Sequence, residues 1–219
     1  MRIRSFIIAY SLVLAIILFA DRRPKPVQQD RYSHIVDLTN GQSDGQNAAA
    51  QNSAADSRTL IIAPDSLIPG TWTAGQIPAE RLIAPLVVMD LNVAPPAQIS
   101  LDDIAAWETR NGAMPQGAVV AIRQPAGQKH SSSHGQLPIT DQAVQFLMDA
   151  RYTTGFAIDQ SADLQSDRVL ARQIALHGNY VVEGASHLAG IPATGSLIIV
   201  APAKGKLRAA PVRVLAMVR

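Results

Sequence analysis

The stretch Ile99–Arg123, ISLDDIAAWETRNGAMPQGAVVAIR, carries a helix start, a turn and a buried strand in one short span. Ser100 has the short hydroxyl side chain that caps a helix, and Asp102 and Asp103 follow in the first turn, where the helix dipole favours acids. Ile104, Ala105 and Trp107 are expected to share one face. Beyond Gly112 the pattern changes, and GAVVAIR (Gly117–Arg123) is a continuous apolar run of the kind found in strands buried on both faces. A capped helix leading into a buried strand is half of a βαβ unit, so the fold class to expect is α/β.

The same alternation continues on both sides. Thr140 can cap DQAVQFLMDAR, and a further helix, SDRVLARQIALHG, is expected from Ser166 to Gly178, a residue suited to a left-handed C-terminal cap. PLVVMDL (Pro85–Leu91), GFAID (Gly155–Asp159), NYVVE (Asn179–Glu183), SLIIVAP (Ser196–Pro202) and PVRVLAMV (Pro211–Val218) read as strands. HIVDLT alternates apolar and polar residues like a first strand. The small, polar, aperiodic segment after it predicts a disordered loop at about 40–58.

At the N-terminus, Arg2 and Arg4 precede the uncharged run SFIIAYSLVLAIILFA (Ser5–Ala20), and Asp21, Arg22 and Arg23 follow at once. Residues 1–23 are expected to be a signal peptide or a retained membrane anchor, which would make the protein exported, periplasmic or otherwise extracytoplasmic. Residues 24–31, with two prolines, read as a linker, and 32–219 as one globular domain. The net charge is +2, aromatic residues are 5% of the chain, and basic residues form no stripe, so nucleic acid is not an expected partner. Cysteine is absent, which excludes disulfides, thiolate metal sites and a cysteine nucleophile. There is no G-x-S-x-G, and no glycine-rich phosphate loop precedes a helix.

Several segments, in order, resemble the cyclase family that includes bacterial kynurenine formamidase and isatin hydrolase. Ile99–Arg123 is similar to the family's helix, turn and strand. TGFAIDQSADLQSD resembles its G(I/V)D-T-P-S-x-D segment, with Asp159, Ser161 and Asp163 in register and Gln160 and Ala162 departing. NYVVEGASHLAGIP resembles the stretch around the family's functional Glu, here Glu183, and PVRVLAMV its last strand. The likeness runs from about Ser33 to Val218. It implies an α/β domain with a mixed β-sheet or small barrel flanked by helices, and, by family habit, self-association into dimers or larger oligomers.

The resemblance also gives TLIIAPDSLIPGTWTAGQIPAERL (Thr59–Leu82) a meaning. The family signature H-x-G-T-H-x-D-x-P-x-H holds one or two divalent metals that activate water for attack on an amide carbonyl. Laid on Asp56–Ser66, it keeps Thr59 and Pro64 in phase. Asp56 then stands at the first His, Arg58 at the Gly, Leu60 at the second His, Ile62 at the Asp and Ser66 at the last His, while Ala171 replaces another family His twelve residues before Glu183. Leucine and isoleucine have no lone pair for a metal, and a catalytic zinc usually needs three protein ligands. No metal or other cofactor is therefore expected, and the resemblance implies the fold while the lost ligands argue for a pseudoenzyme that binds a small molecule or a partner protein. The alternative is a working hydrolase of an N-formyl or cyclic amide, with zinc or manganese in an atypical site.

Within that reading Glu183 is the candidate general base, with a solvated or salt-bridged strand-end carboxylate as the plain alternative. Asp65, Ser66, Trp72, Asp159 and His187 are candidate ligand-binding residues around the inherited cleft. Ordinary turn chemistry would also account for Asp65 and Ser66, core packing for Trp72 and a satisfied structural role for His187. His130 and His134 form H-x-x-x-H but lie in loop-like sequence lacking the accompanying Glu, and His177 is expected to cap a helix end.

Overall fold

Apolar runs of five to ten residues separated by capped helices can bury their strands only by wrapping the helices over one face of a sheet, and the chain does this. The structure is a computed structural model and describes residues 32–40, 58–91, 98–123, 137–159, 164 and 168–219. The strands are β1 (His34–Asp37), β2 (Leu60–Ile62), β3 (Ile83–Asp90), β4 (Val119–Arg123), β5 (Gly155–Ile158), β6 (Tyr180–Glu183), β7 (Ser196–Pro202) and β8 (Ala209–Val218). The helices are α1 (Pro64–Leu67), α2 (Ala79–Leu82), α3 (Leu101–Asn111), α4 (Asp141–Arg151) and α5 (Arg168–Leu176). Tyr32–Arg219 forms one compact unit.

β3, β4, β5 and β6 are parallel neighbours, and the helices α3, α4 and α5 make the crossovers between them. β2 joins β6 to β8 and β7 joins β8 to β3, all antiparallel, so the order β2-β6-β5-β4-β3-β7-β8 closes on itself as a mixed seven-stranded barrel. β1 pairs with Leu215–Val218 of β8, on the edge whose earlier part, Ala209–Pro211, pairs with β2. The sequence left a mixed sheet and a small barrel open; the molecule has both features.

Two apolar layers follow from strand alternation. Inward-facing Ile61, Ala84, Ala121, Ala157, Val182, Ala210 and Val214 fill the barrel, largely with small or branched side chains that suit a narrow interior. Tyr180 also points inward, and its hydroxyl donates to the Arg81 carbonyl at 2.9 Å. Outward-facing Val87, Val120, Phe156 and Val181 pack against Ile104, Trp107, Leu147 and Ile174 of the helices. Trp107 pins α3 to the sheet by donating its indole N–H to the Val88 carbonyl at 3.0 Å.

The expected caps form. Ser100 accepts the Asp103 N–H and its own N–H is returned to the Asp103 carboxylate, while Thr140 accepts from the Ala143 N–H. Ala105 does not share the buried face of Ile104 and Trp107: it is exposed, because a single helical step turns it about 100° away from Ile104. β2 is not among the strands expected from the sequence, since three residues give no period to detect. Ser166, Ser161, Asp163, Asp56, His130, His134, residues 1–31 and positions 41–57 of the expected loop lie outside the described residues. Among the described residues no helix is long and apolar enough to cross a membrane.

Candidate functional site

Parallel strands that share a direction bring their carboxyl ends to one rim, and in α/β sheets that rim is where ligands are bound. Here it carries Asp90 at the end of β3, Arg123 at the end of β4, Asp159 after β5 and Glu183 at the end of β6. The Arg123 guanidinium makes a bidentate pair with Asp90 and also donates to the Leu188 carbonyl at 2.8 Å. That bonding holds the Arg123 guanidinium above its ordinary pKa. Arg123 thereby braces the segment that follows Glu183 across the rim.

Glu183 is 5% exposed. It follows outward-facing Val181 by two residues, so strand alternation puts its side chain on the outer, helix-covered face. β2 runs antiparallel beside it in a register that sets Leu60 opposite Glu183 and Ile62 opposite Val181. Directly paired residues point to the same face, so Leu60 and Ile62 flank the carboxylate's side of the sheet. Ala171 of α5 is buried. Where the resemblance calls for nitrogen and oxygen donors around a metal, the chain thus supplies Leu60 and Ile62 on the face of one carboxylate and Ala171 on α5, and this donor set does not fit zinc or manganese. Among the described residues no three His, Cys, Asp or Glu side chains converge as a metal site.

Thr59, kept in phase with the family signature, has a clear role. Its buried hydroxyl donates to the Gly184 carbonyl at 2.8 Å and accepts the Asn40 N–H at 2.6 Å. Gly184 itself has φ +66°, and a Cβ there would stand 2.6 Å from the Arg58 carbonyl oxygen. Together Thr59 and Gly184 lock the turn that ends β6 to the start of β2, which fixes the backbone on either side of Glu183. Sequence reasoning missed this pair, although a threonine retained among lost ligands was the available signal.

The candidate ligand-binding residues divide into two groups. Asp159 and His187 lie at the carboxyl end of the parallel strands with Glu183. Asp65, Ser66 and Trp72 lie past β2, on the amino-terminal side of β6, which is about 10 Å long. Asp65 is 7% exposed, and its carboxylate accepts the Gly70 N–H and the Arg208 Nε–H, both at 2.7 Å, so it holds its own loop against the start of β8. Ser66 is half-buried on α1, which packs against α5. Trp72 is 38% exposed; its ring lies against Gly178 and under the Arg81 guanidinium, 5.7 Å from the ring centroid. Arg81 in turn donates to the Asn179 side-chain oxygen at 2.8 Å and to the His177 carbonyl at 3.3 Å. Trp72 therefore covers the C-terminal end of α5.

His177 bridges that end to α4, with Nε2 3.0 Å from an Asp149 oxygen and Nδ1 2.9 Å from the Gln173 carbonyl. His187 stands in the left-handed region with φ 57°, and its Nδ1 lies 3.1 Å from the Asp37 carbonyl oxygen and 2.9 Å from the Ser186 hydroxyl. Beside the end of β3, a cavity of about 310 Å³ lies between that strand and α3, lined by Asp90, Asp103, Trp107, Arg110 and Ala193 among others.

Comparison with known proteins fixes the lineage. A family model described as "Putative cyclase" matches residues 36–163, more than half of the chain. The chain belongs to the cyclase family. Among solved structures, isatin hydrolase A from Labrenzia aggregata, bound to benzyl benzoate, is 22% identical with a TM-score of 0.69, over 96% of this chain and 99% of that one. Isatin hydrolase A from Ralstonia solanacearum is 26% identical with a TM-score of 0.64, over 74% of this chain and 72% of that one. A protein described as a potential metal-dependent hydrolase with cyclase activity is 22% identical with a TM-score of 0.66, over 85% of this chain and 98% of that one. No curated protein matches the sequence. This cyclase-family chain thus has an isatin-hydrolase-like fold and is a member of a hydrolase family.

Proposed function

We propose that this cyclase-family member is a pseudoenzyme: it has given up metal-dependent amide hydrolysis and binds a small carbonyl or amide ligand at the rim around Glu183. The observation that carries the reading is the pairing of Leu60 with Glu183 and of Ile62 with Val181, which lines the carboxylate with hydrocarbon where the family chemistry needs ligands bearing lone pairs. The same rim carries the Asp90 carboxylate, the Arg123 guanidinium and the exposed His187 imidazole, polar groups of the kind that orient a small carbonyl or amide ligand. The apolar N-terminal run, flanked by basic residues, supports export, with the domain carried outside the cytoplasm as a secreted or tethered binding protein.

Isatin, the compound that gives two of the structural relatives their name, is the first ligand to try. Purified protein incubated with isatin and added zinc or manganese is expected to bind it saturably and release no ring-opened product. Metal-dependent turnover, abolished in Glu183→Ala, would overturn the pseudoenzyme reading in favour of a working hydrolase.

A further inference from the structure

Resting on that reading of the rim as a ligand site, we propose that His187 is a ligand-binding residue there, held as its Nδ1–H tautomer so that Nε2 offers a lone pair to an N–H group of the ligand. Three observations carry this. The first is the Nδ1 contact with the Asp37 main-chain carbonyl at 3.1 Å. A carbonyl oxygen only accepts, so Nδ1 must bring the proton, and a neutral imidazole protonated at Nδ1 has its lone pair at Nε2. The Ser186 hydroxyl, 2.9 Å from the same nitrogen, can rotate to share that proton as a second acceptor. An imidazole whose far nitrogen is anchored on a backbone carbonyl is oriented in the way protein sites use to present the other nitrogen.

The second observation is the backbone. His187 has φ 57° and ψ 18°, a conformation that non-glycine residues adopt at a cost, and residues so held cluster at binding sites. The conformation is secured from both sides: the Ser186 N–H donates to the Leu38 carbonyl at 2.8 Å, and the His187 carbonyl accepts the Gly190 N–H at 3.1 Å. The third is position. His187 follows Glu183 by four residues, on the segment that Arg123 braces across the rim; its side chain is exposed, and Nε2 has no partner among the described residues. His177 is the internal contrast, since both of its ring nitrogens are engaged.

A neutral imidazole protonated at Nδ1 has at Nε2 only an acceptor, so His187 selects ligands that donate, such as a cyclic or acyclic amide N–H, over analogues in which that nitrogen is methylated. Isatin carries one such N–H and N-methylisatin carries none, which makes them a matched pair of probes.

The test has two arms on the purified full chain. Nitrogen-15 spectra of the histidine side chains, recorded well above the ordinary imidazole range of about 6.5, should show His187 as the Nδ1–H tautomer; an Nε2–H tautomer would overturn the proposal outright. Calorimetric titration should then show isatin binding about fivefold more tightly than N-methylisatin, the order of magnitude of one hydrogen bond. That preference should be lost in His187→Asn, which tolerates the left-handed backbone but is too short to reach the Nε2 position. Equal binding of the two probes, or a preference that survives in His187→Asn, contradicts the role of His187 and leaves the ligand-site reading standing. If neither probe binds, the ligand-site reading fails, and the inference resting on it fails with it.

Discussion

At the scale of single residues, the proposed loss of metal-dependent hydrolysis rests on which side chains share a face with Glu183. Leu60 and Ile62 keep the strand, since β-branched and leucine side chains pack well on a half-buried surface, while removing the donors. Thr59 has structural work: its hydroxyl satisfies a buried carbonyl 125 residues away and a part-buried N–H 19 residues away in sequence. Replacing it by valine, of nearly the same shape, removes the donor from the buried Gly184 carbonyl and should cost about 1–3 kcal/mol in urea unfolding. Thr59→Ser should recover most of that. A valine variant as stable as the parent would show that the Thr59 hydroxyl does not hold the Gly184 turn. Much of this was legible beforehand: the lost ligands and the retained Thr59 and Glu183 can be read from the sequence. That Asp65 spends both carboxylate oxygens on Gly70 and Arg208 could not, because Arg208 is 143 residues away and no local pattern links them.

At the scale of elements, local rules succeeded where an element was long and failed where tertiary contacts decided. Helix α3 was readable from Ser100 onward because its cap, acidic first turn and apolar spacing agree, and β7 was readable from end to end as an unbroken apolar run. β2 was not, since its three residues are strand only because β6 and β8 pair with them on either side. The brace between α3 and α4 was also invisible in sequence. Glu108 accepts two bonds from Arg151, at 2.8 and 2.9 Å, and the Met114 N–H at 2.9 Å. The Arg151 bond, ahead of the other causes, holds the Glu108 carboxyl below its ordinary pKa. A carboxyl depressed in the folded state takes up protons later than in the unfolded chain. Its stabilisation is therefore complete above the usual carboxylate range near 4 and is lost as pH falls through the lower folded value. Glu108→Gln should lower stability by about 1 kcal/mol at neutral pH, and the gap to the parent should close in acid. Thermal melts at several pH values check this; a gap that is constant with pH would show that the pair is not the source of the effect.

At the scale of the whole molecule, the closed barrel is a frame that the proposed loss of the catalytic site would leave standing. The barrel interior and the helix-covered outer layer are separate apolar clusters, and the proposed site takes only the rim at the carboxyl ends of β5 and β6. On the proposed reading, Leu60 and Ile62 stand where a missing metal would otherwise leave charged and polar groups uncompensated. The sequence made the α/β class and the choice between sheet and barrel visible. Closure itself depends on the two-sided pairing of β8, a ten-residue strand whose separate partners on one edge, β1 and β2, no periodicity announces. The central claim, that the frame remains and the metal does not, is tested most directly by elemental analysis of the purified protein before and after incubation with zinc and manganese. The account predicts no stoichiometric metal in either sample and the same trace content in Glu183→Ala. About one tightly held ion per chain, lost in that variant, would contradict it.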